Sequence, residues 1–219
     1  MNRKALLLLS GGFDSPVAGW LIKKKYDLEL YAIHFHSMPL TDEKSIQKSK
    51  ELAKIIGIKK LFLVPFTDLQ KEVVQKCKHK DYYILTRRLM WKIAEQIAKQ
   101  NDCKYLVTGE NLAQVASQTL SNITNIDEAV DLVILRPLLT YDKEETINLA
   151  KEIGTYEASK GEEICCLLGP KHPSTKSNLQ ELKEQEKNID EKIIHNIIEK
   201  IEVVNLIKEL KSSHLLEHN

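Results

Sequence analysis

Ala5-Leu6-Leu7-Leu8-Leu9-Ser10-Gly11-Gly12-Phe13-Asp14-Ser15-Pro16-Val17-Ala18-Gly19 is the stretch from which the fold can be read. Its apolar run, closed by glycines, has the pattern of a strand buried on both faces, as parallel sheets require. The residues from Ser15 onward predict a helix, with Ser15 at the N-cap and Pro16 in the first helical position. The loop of residues 10–15 therefore joins a buried strand to a helix N-terminus. Such a junction attracts anions: glycines let the backbone approach and turn, several N–H groups lack intrahelical partners, and the helix dipole presents its positive end. A nucleotide phosphate suits that chemistry. The loop is not a Walker A motif, since no Gly-Lys-Ser/Thr follows, and it is not Gly-x-Gly-x-x-Gly. The bland alternative is an ordinary strand–helix turn in which Asp14 and Ser15 act only as caps.

Outward from this loop, strand and helix patterns alternate. Residues 28–36, 60–65, 104–108 and 132–135 predict further strands. Helical spacing covers 41–56, stopped by Gly57, then 69–76, 82–100, where Leu85, Leu89, Ile93 and Ile97 recur, and 112–120. This alternation predicts an α/β fold, a five-stranded parallel sheet with helices on both faces and ligands at the carboxyl ends of the strands. Chemically useful groups stand at those ends: residues 10–15, 34–37, Thr67-Asp68, Thr108-Gly109-Glu110 and Arg136-Pro137. After a helix over 142–153, an irregular stretch carries Cys165-Cys166. From Leu179 the pattern is helical and charged, with Ile189, Ile193, Ile197, Ile201 and Val204 on one apolar stripe. We expect a domain over 1–177 and a C-terminal helical extension over 178–219, whose stripe packs on its own sheet or forms a contact such as a homodimer.

Charge and length narrow the function classes. The 219 residues carry a formal net charge of +1, so no global basic field advertises nucleic acid and any RNA contact must use a local patch. Candidates are Lys76, Lys78, Lys80, Arg88 and Lys92, with Lys171 and Lys176, and with His79 and His172 interleaved. No apolar run approaches the ~18 residues of a membrane span, and residues 1–4 do not resemble a signal peptide, so a cytoplasmic protein without a membrane partner is expected. Four cysteines then read as thiols or ligands, with Cys77 and Cys103, beside apolar patterns, as structural thiols.

Ser10-Gly11-Gly12-Phe13-Asp14-Ser15 resembles the Ser-Gly-Gly-x-Asp-Ser signature of the PP-loop pyrophosphatases, which split ATP between its α- and β-phosphates and adenylate their substrate. Thr108-Gly109-Glu110-Asn111-Leu112-Ala113-Gln114-Val115-Ala116-Ser117-Gln118-Thr119-Leu120, Ile134-Leu135-Arg136-Pro137-Leu138 and Tyr141-Asp142-Lys143-Glu144 narrow the resemblance. They are similar to strings in the tRNA 4-thiouridine synthetases, sulfurtransferases that replace a uridine oxygen of tRNA with sulfur. By matching position, the resemblance implies that Leu8, Leu9, His34, Phe35, Arg87, Gly109 and Gln118 contact ATP. Ser10, Gly11, Gly12, Phe13 and Ser15 would hold its phosphates, and Asp14 would serve catalysis by placing Mg²⁺. It also implies a sulfur-handling cysteine at Cys165 or Cys166. The preceding acidic pattern selects Cys165, whereas counting from Gly109 selects Cys166.

Some members of the family carry Cys-x-x-Cys just before the paired arginines as iron–sulfur ligands; this sequence has Tyr83-Ile84-Leu85-Thr86 there, so those ligands are missing. Because the sequence opens on the first strand, we expect tRNA or another uridine-containing RNA to arrive with a separate RNA-capture protein. Sulfur would come from an external donor, a desulfurase persulfide or sulfide. The alternatives are a ligase that adenylates another small carbonyl acceptor and a non-catalytic nucleotide-binding subunit of a thiolation complex.

Overall fold

The computed structural model describes residues 3–112, 114–161 and 168–206, so Cys165 and Cys166 lie outside the described residues. In chain order the elements are β1 (Lys4–Leu8), α1 (Asp14–Tyr26), β2 (Glu29–His36), α2 (Lys44–Ile55), β3 (Lys60–Pro65), α3 (Thr67–Lys76), α4 (Tyr82–Gln100) and β4 (Cys103–Val107). They continue with α5 (Leu120–Asp127), β5 (Val133–Leu135), α6 (Lys143–Glu152), α7 (Tyr156–Ser159), α8 (Leu179–Glu186), α9 (Glu191–Glu199) and β6 (Glu202–Asn205).

The five expected parallel strands pair in the order β5-β4-β1-β2-β3. Strand order reverses at β1, between β2 on one side and β4 on the other, and in such sheets the crevice at the reversal receives the ligand. Alternation along β1 supplies both cores. Leu6 packs with Trp91 and Ile93 of α4 on one face, while Ala5 and Leu7 pack with Val17 and Ala18 of α1 on the other. Gly19 lets α1 lie that close, because a Cβ there would stand 2.6 Å from Leu7 Cδ2.

Two departures from the sequence pattern are local. Residues 112–120 do not form one helix; they run through a 3-10 turn at Ala116–Gln118, and α5 begins at Leu120. Thr119 sets that start, since its hydroxyl accepts from Asn122 N as an N-cap. At α1, Asp14 is the first helical residue and Ser15 is not the cap.

The third departure is larger. The C-terminal part is not helical throughout, because Val204 lies in β6, which pairs antiparallel with β3 and makes the sheet six-stranded. Leu182, Ile189 and Ile197 are buried in the α4-side core, and Ile193, Ile194, Ile198 and Ile201 pack against it. The stripe that suggested a homodimer contact is thus covered by the chain's own sheet layer. Polar contacts hold α8 in place: the buried Arg88 donates from Nε to Glu186 Oε1 at 2.6 Å, and Gln185 Nε2 donates to Asp81 Oδ2 at 3.0 Å.

Candidate active site

The loop after β1 is folded by its own serines. Ser10 N donates to Ser15 Oγ at 2.9 Å, and Gly12 N donates to Ser10 Oγ at 3.2 Å. Ser15 therefore stabilises the turn from inside α1 rather than capping it. Neither Gly11 nor Gly12 has a left-handed φ, so space rather than turning explains a glycine at position 11. A Cβ on Gly11 would meet the Lys48 side chain, 3.2 Å from Cδ. Gly109 follows β4 and answers a similar need: a Cβ there would lie 2.5 Å from Asp14 C and from Ser15 N. The backbone after β4 thus abuts the first turn of α1 at the reversal point.

A cleft of about 600 Å³ opens there. Its walls include Leu8, Leu9, Ser10, Gly11, Asp14 and Ser15 from the β1 end, His34 and Phe35 from β2, Arg87 from α4, and Gly109 and Gln118. The helix α2, read from the sequence but not placed at the site, contributes Ser45 and Lys48, and Trp91 of α4 is a further wall. Phe13 and Gly12 are not among the walls. The Phe13 ring stacks on Tyr156 with centroids 5.3 Å apart, and Gly12 O accepts from Ser159 Oγ at 3.4 Å, so both brace the loop from behind.

Several buried polar atoms of the cleft residues have no hydrogen-bond partner among the described residues: His34 Nε2, Thr41 Oγ1, Ser45 Oγ, Trp91 Nε1 and Gln118 Oε1. Buried polar groups are ordinarily paired, and an unpaired one costs on the order of 1–3 kcal/mol, so these atoms call for a ligand or water. His34 Nδ1 donates to Leu9 O at 2.9 Å, which leaves Nε2 as the acceptor. Burial pushes the His34 pKa down to about 4, and the imidazole is neutral at neutral pH.

Arg87 is held by a buried carboxylate. Glu110 Oε1 accepts from Arg87 Nη1 at 3.1 Å and Glu110 Oε2 accepts from Arg136 Nε at 3.0 Å, while Arg136 also pairs with Asp127. The strand-end residues Glu110 and Arg136 thus act by fixing a guanidinium at the cleft.

Thr67 and Asp68 do not reach the cleft: Thr67 Oγ1 donates to Met38 O at 2.6 Å, and Asp68 borders a separate hollow with Ile193 and Lys200. The basic cluster is also largely engaged. Arg88 is buried against Glu186 and Glu128, which removes it as an RNA contact, and Lys76, Lys78 and Lys92 pair with Glu72, Glu181 and Glu186. Burial raises the thiols of Cys77 and Cys103 to about 11, as suits structural cysteines. Among the described residues no group of three or more His, Cys, Asp or Glu could hold a metal ion. Nor is any described helix long and apolar enough to cross a membrane.

A doubly covered parallel sheet whose cleft opens beside Ser-Gly-Gly-x-Asp-Ser at the strand-order reversal defines a protein of the PP-loop ATP-pyrophosphatase fold. The sequence profile of the thiamine biosynthesis protein (ThiI) family matches residues 1–191. The chain belongs to that family. It is 46% identical over 209 residues to a probable tRNA sulfurtransferase of Alkaliphilus oremlandii (strain OhILAs), covering 92% of this chain and 53% of the relative. Identity to a probable tRNA sulfurtransferase of Acetivibrio thermocellus is 42% over 215 residues, covering 95% of this chain and 55% of that one. The crystal structure of a 4-thiouridine synthetase–RNA complex with bound ATP superposes with a TM-score of 0.86 at 37% identity, over 92% of this chain and 55% of that chain. The chain spans about half the length of the curated relatives it matches.

Proposed function

We propose that this chain is the ATP-dependent catalytic unit of a tRNA sulfurtransferase, which adenylates a uridine carbonyl oxygen in tRNA and replaces that oxygen with sulfur. The observation that carries the proposal is the cleft itself, where a loop of this family lies beside buried acceptors that await partners. Adenosine suits them: its exocyclic amine and ribose hydroxyls donate, while His34 Nε2 and Gln118 Oε1 accept. The phosphates would lie against the cleft-lining part of the loop, Ser10, Gly11, Asp14 and Ser15, at the N-terminus of α1, with Arg87 on the facing wall.

In the reaction, the uridine oxygen attacks the α-phosphorus and pyrophosphate leaves with the electron pair of the broken P–O bond. Glu110 keeps Arg87 oriented, and preorganised donors of this kind stabilise charge growing on the pyrophosphate. Asp14, the first residue of α1, would help hold Mg²⁺, which usually binds phosphate oxygens with one or two carboxylates. Bound Mg²⁺ would neutralise phosphate charge. Where the donor is sulfide, hydrosulfide forms the C–S bond, the C–O bond breaks and AMP departs with the former carbonyl oxygen and its electron pair. Where the donor is a desulfurase persulfide, its outer sulfur forms the C–S bond as AMP departs, and a second thiolate then attacks the inner sulfur, releasing the thiouridine and leaving a disulfide for an external thiol to reduce.

For the persulfide donor we assign to Cys165 or Cys166, on the family resemblance, the thiolate that takes up the outer sulfur while the donor's thiolate departs; sulfide needs no such carrier. The described residues that flank 162–167 support it: Gly161 is a cleft wall, and Leu168 O accepts from His79 Nε2 at 2.8 Å, beside cleft-lining Tyr83. RNA delivery by a separate protein or domain fits a basic cluster so largely committed to glutamates.

The test incubates the protein with ATP, Mg²⁺, sulfide and bulk tRNA, reading pyrophosphate release and, by mass spectrometry, thiolated nucleosides. We expect both products from the native chain and neither from Asp14→Ala. Pyrophosphate release without a thionucleoside under any RNA supply would point to another acceptor. Retained turnover in Asp14→Ala would reduce Asp14 to a helix-start residue.

A further inference from the structure

Lys48 lies on the wall of the cleft that the family resemblance leaves unassigned. It projects from α2 over the phosphate loop: a Cβ on Gly11 would stand 3.2 Å from its Cδ, 3.6 Å from Cε and 3.7 Å from Nζ. The absence of a side chain at position 11 is what gives the Lys48 stem its course across the loop. Among the described residues Lys48 forms no ion pair, whereas Lys44, a turn earlier on the same helix, pairs with Asp42 at 3.3 Å. A cation half-buried beside the phosphate-type loop, with no ion pair among the described residues, suits an anion site.

The neighbouring groups point the same way. Ser45 shares the cleft-facing side of α2 with Lys48, and Thr41 leads into the helix. The hydroxyls of both are buried and without hydrogen-bond partners among the described residues. Three donors from one segment thus face the loop that carries the amides of residues 10–15.

We infer that Lys48 is a binding residue for the terminal phosphates of the nucleotide, gripping from the α2 side the pyrophosphate that the loop cradles from below. The inference rests on the nucleotide reading of the cleft and adds a specific partner for one part of the ligand. A lysine serves phosphate as a compact point charge, tolerant of geometry, whereas Arg87 offers a fixed fork. Lys48 therefore discriminates by charge: it distinguishes ATP and pyrophosphate from AMP.

Calorimetric titration of the native chain and of Lys48→Met and Lys48→Arg with ATP, AMP and pyrophosphate, each with Mg²⁺, tests this. Lys48→Met should weaken ATP and pyrophosphate by roughly 10-fold or more, as loss of one charge-assisted contact implies, and leave AMP within about 2-fold. Lys48→Arg should recover most of the loss. The side chain is partly exposed and outside the cores, so an unchanged unfolding midpoint is expected and controls for folding. Equal ATP affinity in native and Lys48→Met protein overturns the inference, as does an equal loss for ATP and AMP. Weakened binding of labelled tRNA with ATP unaffected would overturn it too, by assigning Lys48 to an RNA backbone phosphate. Failure of the native chain to bind ATP at all would instead refute the nucleotide reading beneath it.

Discussion

At the scale of single residues, the site is governed by what glycine leaves out. Gly109 has backbone atoms of Asp14 and Ser15 where its Cβ would be, at 2.5 Å, well inside contact distance. Neither neighbour is the movable end of a side chain, so Gly109→Ala must displace the phosphate loop or the β4 end. Overpacking of this kind costs about 1–3 kcal/mol, and here the strain falls on the amides that would hold phosphate. We expect Gly109→Ala to lower the urea midpoint and to weaken ATP binding by at least roughly 10-fold, an effect larger than the stability loss alone explains. Native-like affinity would mean that the loop tolerates the shift. The sequence resemblance implied Gly109 against the ligand; Gly109 lines the cleft and also abuts the loop, so a substitution there would act on the loop as well. Gly11 illustrates the same point, since its neighbour, Lys48, is 37 positions away in the chain and no local signal joins the two.

At the scale of elements, the C-terminal α8–α9–β6 unit decides whether β3 is an edge strand. β6 covers β3, which would otherwise present unpaired backbone groups to other chains. Glu186 of α8 ties this unit to α4, pairing at 2.6 Å with both Arg88 Nε and Lys92 Nζ. Arg88 is 1% exposed, and removal of a partner from a buried pair leaves an uncompensated charge at a cost of about 3–5 kcal/mol. Glu128 and the Asn125 carbonyl remain to Arg88, so the lower end of that range is expected for Glu186→Ala. Chemical denaturation checks the value, with Lys92→Ala as the comparison. Lys92 is 39% exposed in its side chain, and such a surface pair is worth at most about 1 kcal/mol. Comparable losses in the two variants would show that Arg88 is rescued by its other partners. The helical stripe of residues 189–204 was visible in the sequence, but a period alone does not say what covers it.

At the scale of the whole molecule, global stability should register the burial of histidine at the strand ends. Desolvation holds the folded His34 pKa at about 4 against 6.5 unfolded, and burial lowers His36 in the same direction. Between those values the unfolded chain binds a proton that folded His34 refuses, so stability falls as pH drops from above 6.5 towards 4. From pH 7 to pH 5 the loss from His34 is on the order of 2 kcal/mol. Urea unfolding of native and His34→Gln protein at both values measures it, and the variant should show a flatter dependence. Parallel curves would mean that His34 is protonated in the folded state without penalty.

The sequence by itself determined the parallel α/β plan, the phosphate-type loop and most element positions, because strand burial, helix period and glycine punctuation are local properties of the chain; cleft residues such as His34, Arg87 and Gln118 were implied by the family resemblance. Tertiary structure alone decided that Val204 pairs in a strand and that Arg88 is buried. It also decided that Thr67-Asp68 stands apart from the cleft and that Lys48 crosses Gly11. Each of those depends on which distant segment fills the space or supplies the countercharge, and no periodicity or motif within a segment carries that information.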